Sequence, residues 1–207
     1  MIYNIKAIPT VYNHVQFRSR LEARWAAFFD LAGIKWDYEP FDLEGWAPDF
    51  MLKGKTKALV EVKPIDFSAI EASVYRQARA QAAKAYRIAD MSEPPHAYEI
   101  MVIGNGPFVN EGVWSLGTMP LERELSSEDV AELFFGRSGQ RLDYAARYGS
   151  YEYRMGGEYA GDHHLLPIHD LTPQDLWRQA GSIVQWKAPE ADDYHSQLRR
   201  IFKRRAA

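Results

Sequence analysis

Residues 48–63 read Pro48-Asp49-Phe50-Met51-Leu52-Lys53-Gly54-Lys55-Thr56-Lys57-Ala58-Leu59-Val60-Glu61-Val62-Lys63. Two β-prone runs, Pro48 to Leu52 and Lys57 to Lys63, flank Lys53–Gly54–Lys55–Thr56, whose turn composition predicts an antiparallel hairpin. Side chains alternate along a strand, so Leu59, Glu61 and Lys63 share one face while Ala58, Val60 and Val62 share the other. Asp49, near the start of the first strand, falls opposite the Glu61–Lys63 end of the second. Two acids and a lysine converge.

That convergence suits phosphodiester hydrolysis. Two carboxylates, with the Val62 carbonyl as a further possible ligand, suit Mg²⁺ or Mn²⁺, which take oxygen donors in octahedral geometry. Such an ion polarises phosphate and makes bound water acidic, and a lysine beside it can orient that water or offset charge building on the phosphorane.

Working outward, residues 19–32 predict a helix with Leu21, Trp25, Phe28, Phe29 and Ala32 on one stripe and Gly33 as its stop. Ile34, Trp36 and Tyr38 alternate with charged residues, a half-exposed strand that Pro40 ends. Ser68, with Glu71 as a capping-box partner, opens a long helix running to about Ala89. Tyr98 to Ile103 is an apolar strand closed by Gly104–Asn105–Gly106–Pro107. Beyond it, Val113 to Leu116 read as a strand, Ser127 to Phe135 as a short helix, and 136–162 show no clear period. Thr172–Pro173 starts another helix with Gly181 as its stop, and 192–205 read as a basic terminal helix.

The element order and the Pro48–Asp49…Glu61–Val62–Lys63 spacing resemble the PD-(D/E)XK nuclease superfamily, over about the first half of the chain. The flanking context looks most like phage-encoded and Holliday-junction-resolvase-like members. The resemblance implies an α/β fold, a restriction-endonuclease-like αβββαβ core of mixed sheet flanked by helices, followed by an α-helical extension. The core is expected over 1–120 and the extension over 121–207. It implies a metal-dependent endonuclease acting on DNA, branched or structured DNA included, with Mg²⁺ or Mn²⁺ as cofactor and Asp49, Glu61 and Lys63 as catalytic residues. It further implies that Glu22, on the first helix, joins Asp49, Glu61 and Val62 around the metal, and that Gln77, Gln81 or Lys84 contact nucleic acid.

Plainer readings stand beside these. Ser19-Arg20-Leu21-Glu22 also fits a capping box. Lys63 and Glu61 also fit a surface ion pair of small worth, and Asp49 fits an Asx-type turn after Pro48. Against these, the sequence Leu59-Val60-Glu61-Val62 tends to bury Glu61, which is costly without a partner. Arg18, Arg20, Arg24, Arg76, Arg79, Lys84 and Arg87 read first as solvated helix faces, with contact to phosphates by some of them as the alternative. Lys53, Lys55 and Lys57 of the turn, and Arg199 and Arg200 of the tail, are candidates to touch a phosphate backbone. His163, His164 and His169 read as loop histidines.

Composition sets the outer limits. The 207 residues suit one domain, or one with a modest extension, and 46% hydrophobic residues suffice for a core. The absence of cysteine excludes disulfides, cysteine-ligated metals and thiol nucleophiles. No apolar run approaches the ~18 residues of a bilayer span, and the first residues carry no secretion signal, so the expected place is the cytoplasm, with no membrane partner; the resemblance implies a bacterial or phage-infected cell. Charge is segregated: residues 1–90 hold 13 basic and 11 acidic groups, 91–193 hold 7 and 17, and 194–207 hold 5 and none. Nucleic acid would meet the first part and the tail, leaving the acidic middle for a protein partner, while a homodimer is what the resemblance to nucleases that cut two strands implies. A phosphate-reading centre also leaves RNA open as a substrate, and a catalytically silent binding or assembly module is the alternative function.

Overall fold

The computed structural model describes residues 7–42, 46–68, 98–119, 129–137, 139, 141–148, 151–157 and 166–185. A short hairpin, β1 (Thr10–Tyr12) and β2 (Val15–Phe17), leads into helix α1 (Arg20–Ala32). The helix begins where Ser19, with extended backbone, accepts the Glu22 N–H on its Oγ, and ends where Gly33 turns left-handed at φ 75°. Trp25, Phe28 and Phe29 are fully buried with interlocking rings, so the apolar stripe of the sequence is the packed face.

Strands β3 (Trp36–Tyr38), β4 (Phe50–Lys53) and β5 (Lys57–Val62) form an antiparallel run, and β6 (Tyr98–Asn110) adds to β5 in parallel. Antiparallel pairing resumes through β7 (Val113–Thr118), β8 (Val130–Phe135), β9 (Leu142–Tyr148) and β10 (Tyr151–Arg154). The two-residue β11 (Leu166–Pro167) pairs with the end of β8, completing a mixed sheet of nine strands. Helix α2 (Thr172–Ile183) packs on α1: Arg24 Nε and Nη2 donate to the Trp177 carbonyl at 3.1 and 2.9 Å, and its guanidinium stacks 4.0 Å from the Trp177 ring. The protein is therefore an α/β fold with a mixed sheet. Among the described residues no helix is long and apolar enough to cross a membrane.

Two apolar clusters follow from strand alternation. Ala58, Val60 and Val62 of β5, with Met101 and Ile103 of β6, join the α1 aromatics in one. Leu59, Ile100 and Val102 join Met51, Trp46 and Ile65 in the other. Glu61 lies in register with Leu59 on that second face. Trp25 ties helix to sheet, its Nε1 donating to the Gly104 carbonyl at 2.8 Å.

Five expectations change, the briefest being the helix stop at Gly181, since α2 runs through that glycine to Ile183 and caps at Val184. Residues 130–135 are a strand, not part of a helix: this central strand is buried on both faces, and its continuous Val-Ala-Glu-Leu-Phe-Phe run imitates a helical stripe. The extension is accordingly not purely α-helical, since β8 to β10 widen the sheet and α2 is its described helix. Residues 142–148 and 151–154, which show no period in the sequence, form two strands. Finally, β6 does not stop at Gly104–Pro107 but passes through them by a register shift between Ile103 and Phe108, a bulge that accommodates glycine and proline. The helix expected from Ser68 to Ala89, the basic helix at 192–205 and the boundary at 120/121 lie outside the described residues.

The β4–β5 turn is clamped by a distant segment. Lys55 N donates to Gly156 O at 2.9 Å and Thr56 N to Met155 O at 3.0 Å. A Cβ on Gly54 would lie 2.2 Å from the Met155 carbonyl oxygen, so only glycine fits that approach. Gly54→Ala is expected to cost about 1–3 kcal/mol, read as a lower midpoint in urea unfolding.

Candidate active site

Asp49 immediately precedes β4 and is only 6% exposed. Phe50 pairs with Val60, and continuing that register one step sets Asp49 opposite Glu61. The Asp49 carboxylate bridges the two strands: Oδ2 accepts the Val62 N–H at 2.7 Å, and Oδ1 accepts Arg18 Nη2 at 2.7 Å. Glu61 is held on both oxygens, Oε2 accepting from Trp46 Nε1 at 2.8 Å and Oε1 pairing with Lys63 Nζ at 2.5 Å. Lys63, one residue past β5, is fixed by its N–H to the Ile103 carbonyl at 2.9 Å. The hairpin and the parallel β5–β6 pair thus bring the trio to one end of β5.

Glu22 closes the site from α1. Its Oε1 accepts from Ser19 Oγ at 2.6 Å, while Oε2 accepts from Tyr38 OH at 2.7 Å and from Arg18 N at 3.2 Å. This is a capping arrangement displaced by one residue, since the glutamate returns to the amide before the N-cap rather than to that of Ser19. The cap and a position beside Asp49 coexist, because Glu22 contributes to the electrostatics of Asp49.

The electrostatics are those of crowded acids. Burial pushes the Asp49 carboxyl up to about 7, with the negative charge of Glu61 and then Glu22 adding to it. The Val62 N–H and Lys63 oppose the rise. Arg18 also contacts Asp49, yet its side chain is 56% exposed and its charge is screened by water, so burial prevails. Tyr38 is likewise raised, by burial and by its bond to Glu22.

Could these residues hold a divalent ion? Among the described residues no three acidic or histidine side chains form a ready ligand group. The set the sequence suggests is Asp49, Glu61 and the Val62 carbonyl, to which the resemblance adds Glu22; the Glu22 oxygens are turned to Ser19, Tyr38 and the Arg18 N–H, and Glu22 does not group with the other two acids. The chemistry of the set fits a hard cation, since all donors are oxygen and the Asp49 carboxyl is raised by burial and then by the negative charge of Glu61. Lys63 and Arg18 supply the positive charge in the protein itself.

The other candidates disperse. Lys53, Lys55 and Lys57 occupy the far end of the hairpin, roughly 13–20 Å of strand from Asp49. Lys53 pairs with Asp37 at 2.6 Å, and Lys57 Nζ lies 5.8 Å from the Tyr98 ring centroid. His169 is exposed. Gln77, Gln81, Lys84, His163, His164, Arg199 and Arg200 lie outside the described residues. Two site residues, Trp46 and Tyr38, escape the sequence reading, as does the pairing of Arg18 with Asp49. Trp46 lies two residues before Pro48, and Tyr38 ends the alternating strand. Their polar tips reach Glu61 and Glu22, contacts that no local spacing encodes.

Compared with protein-family models, curated proteins and solved structures, the chain matches none.

The raised Asp49 carboxyl has a sign that can be measured. The folded protein binds its proton more tightly than the unfolded chain, so metal-free stability falls as pH rises from about 4 to about 7 and then levels. Within that window the fall is at most about 1.4 kcal/mol for each step of one in pH. In thermal melts at pH 5 and pH 8, Asp49→Asn is expected to gain on the wild type at the higher pH. An unchanged difference would place the Asp49 titration elsewhere.

Proposed function

We propose that this chain is a Mg²⁺- or Mn²⁺-dependent phosphodiesterase of the PD-(D/E)XK kind that cleaves DNA. One observation carries the reading: the strand register and the Asp49–Val62 hydrogen bond gather Asp49, Glu61 and Lys63 at the end of β5. The run of α1, three antiparallel strands and a parallel fourth supports it, since it accords with the αβββαβ order that the motif suggests. Branched or structured DNA, a homodimer and a bacterial or phage setting extend the same proposal.

Asp49 Oδ1, Glu61 Oε1 and the Val62 carbonyl would hold the ion. When bound, it polarises the scissile phosphate and lowers the pKa of a water. Lys63, released from Glu61, offers its ammonium to orient that water or to offset charge on the phosphate oxygens. Trp46 anchors the other Glu61 oxygen, so one oxygen stays aimed while its partner changes. Val62 N–H does the same for Asp49, and Glu22 with Tyr38 sets the edge of the site without moving a proton.

A second reading is a nucleic-acid-binding or assembly module that keeps this architecture without turnover. It is favoured by the internal balance of charge, Arg18 on Asp49 and Lys63 on Glu61.

Labelled duplex, single-stranded, flap and four-way-junction DNA, with RNA alongside, separate the two. With Mg²⁺ or Mn²⁺ the wild type is expected to cleave at least one DNA form and to stop in EDTA. Glu61→Gln and Lys63→Ala should each lose about 100-fold or more in rate with unchanged far-ultraviolet circular dichroism. Full cleavage by Lys63→Ala would remove that residue from the mechanism, and binding without turnover in either metal would select the second reading.

A further inference from the structure

We propose that Arg18 is a resident counter-cation of this site, which holds Asp49 in the metal-free protein and turns to a substrate phosphate when a divalent ion takes its place; this rests on the function proposed above. Asp49 has two oxygens, and Val62 N–H occupies Oδ2. Oδ1 is the one facing Arg18, whose Nη2 lies 2.7 Å from it. An ion bound at ~2.1 Å from that oxygen and a guanidinium on it are like charges competing for the same lone pairs. Occupancy by one disfavours the other.

The arginine is built to leave without disturbing the fold. Its backbone is anchored, with Arg18 N donating to Tyr38 OH at 3.1 Å and to Glu22 Oε2 at 3.2 Å. Its side chain, in contrast, is 56% exposed, against 8% for the Asp49 side chain it meets. A fixed base with a solvated stem lets the guanidinium rotate while α1 stays in place.

Glu39 supplies the pivot. Its Oε1 pairs with Arg18 Nε at 2.7 Å, a different nitrogen of the guanidinium from the Nη2 that meets Asp49. Glu39 holds an uncommon left-handed backbone, φ 44°, with its N–H on the Asp49 carbonyl at 3.0 Å. Freed from Asp49 and still held at Nε, the guanidinium keeps both Nη groups at the mouth of the site. That planar pair of donors matches two oxygens of a phosphate.

The alternative role is simple support, in which Arg18 only steadies Asp49. The two roles predict opposite signs. If Arg18 competes, removing it tightens metal binding while weakening DNA; if it supports, removing it weakens metal binding. Titration calorimetry with Mn²⁺ alone gives the first readout, and DNA affinity in Ca²⁺ across a salt series gives the second.

We expect Arg18→Ala to bind Mn²⁺ about tenfold more tightly and DNA about tenfold more weakly, with a salt slope smaller by about one. Arg18→Gln, which keeps a hydrogen-bond donor to Asp49 without charge, should show the same signs and serves if the alanine variant folds poorly. Unchanged or weaker Mn²⁺ binding in these variants, with a wild type that binds Mn²⁺ and cleaves, would overturn the role of Arg18 alone. A wild type that neither binds Mn²⁺ nor cleaves would overturn the proposed function and this inference together.

Discussion

The hydrogen bond from Val62 N–H to Asp49 Oδ2, 2.7 Å long and buried, joins the entry of one strand to the exit of the next. A charge-assisted bond of this kind is worth about 1.5–3 kcal/mol, and its position matters more than its strength. It ends the β4–β5 ladder at the point where the chain must diverge, leaving Glu61 and Lys63 beside Asp49. The remaining site contacts are arranged around that junction. Trp46 steadies Glu61 from the preceding loop, and Arg18 reaches Asp49 from the approach to α1.

Charge compensation gives the site its second property. Carboxylates taken out of water are costly unless paired, and buried Asp49, half-buried Glu61 and buried Glu22 are paired with an arginine, a lysine and hydroxyl donors respectively. The pairing is incomplete for Asp49, whose carboxyl stays raised. That residual strain is what a divalent ion would relieve, and it links the apolar packing around Asp49 to the chemistry proposed for it. The same packing explains the position of α1: its aromatic stripe buries against the sheet face opposite Glu61, which points the helix N-terminus, with Glu22, at the acids.

Much of this was legible in the chain. Trp25, Phe28, Phe29 and Gly33 define α1 because a helical period and a left-handed stop are local properties. The Lys53–Gly54–Lys55–Thr56 turn and the alternation of Leu59, Glu61 and Lys63 define the hairpin and its acidic face for the same reason. Residues 130–135, 142–148 and 151–154 were not legible. A strand buried on both faces loses its two-residue period, which holds for β8 and for residues 142–146 of β9. The continuation of β6 through Gly104–Pro107 was hidden too, because turn residues also make bulges.

The sequence by itself determined α1, the β4–β5 hairpin and the meeting of Asp49 with the Glu61–Lys63 end of its partner strand, since periodicity, turn chemistry and strand alternation act over a few residues. Only the tertiary structure decided which groups hold those three. Arg18 and Trp46 reach Asp49 and Glu61 across 31 and 15 positions of chain, and Tyr38 meets Glu22 across 16. Such contacts depend on where the sheet places its edges and where α1 begins. These are consequences of packing, which no short window of residues contains.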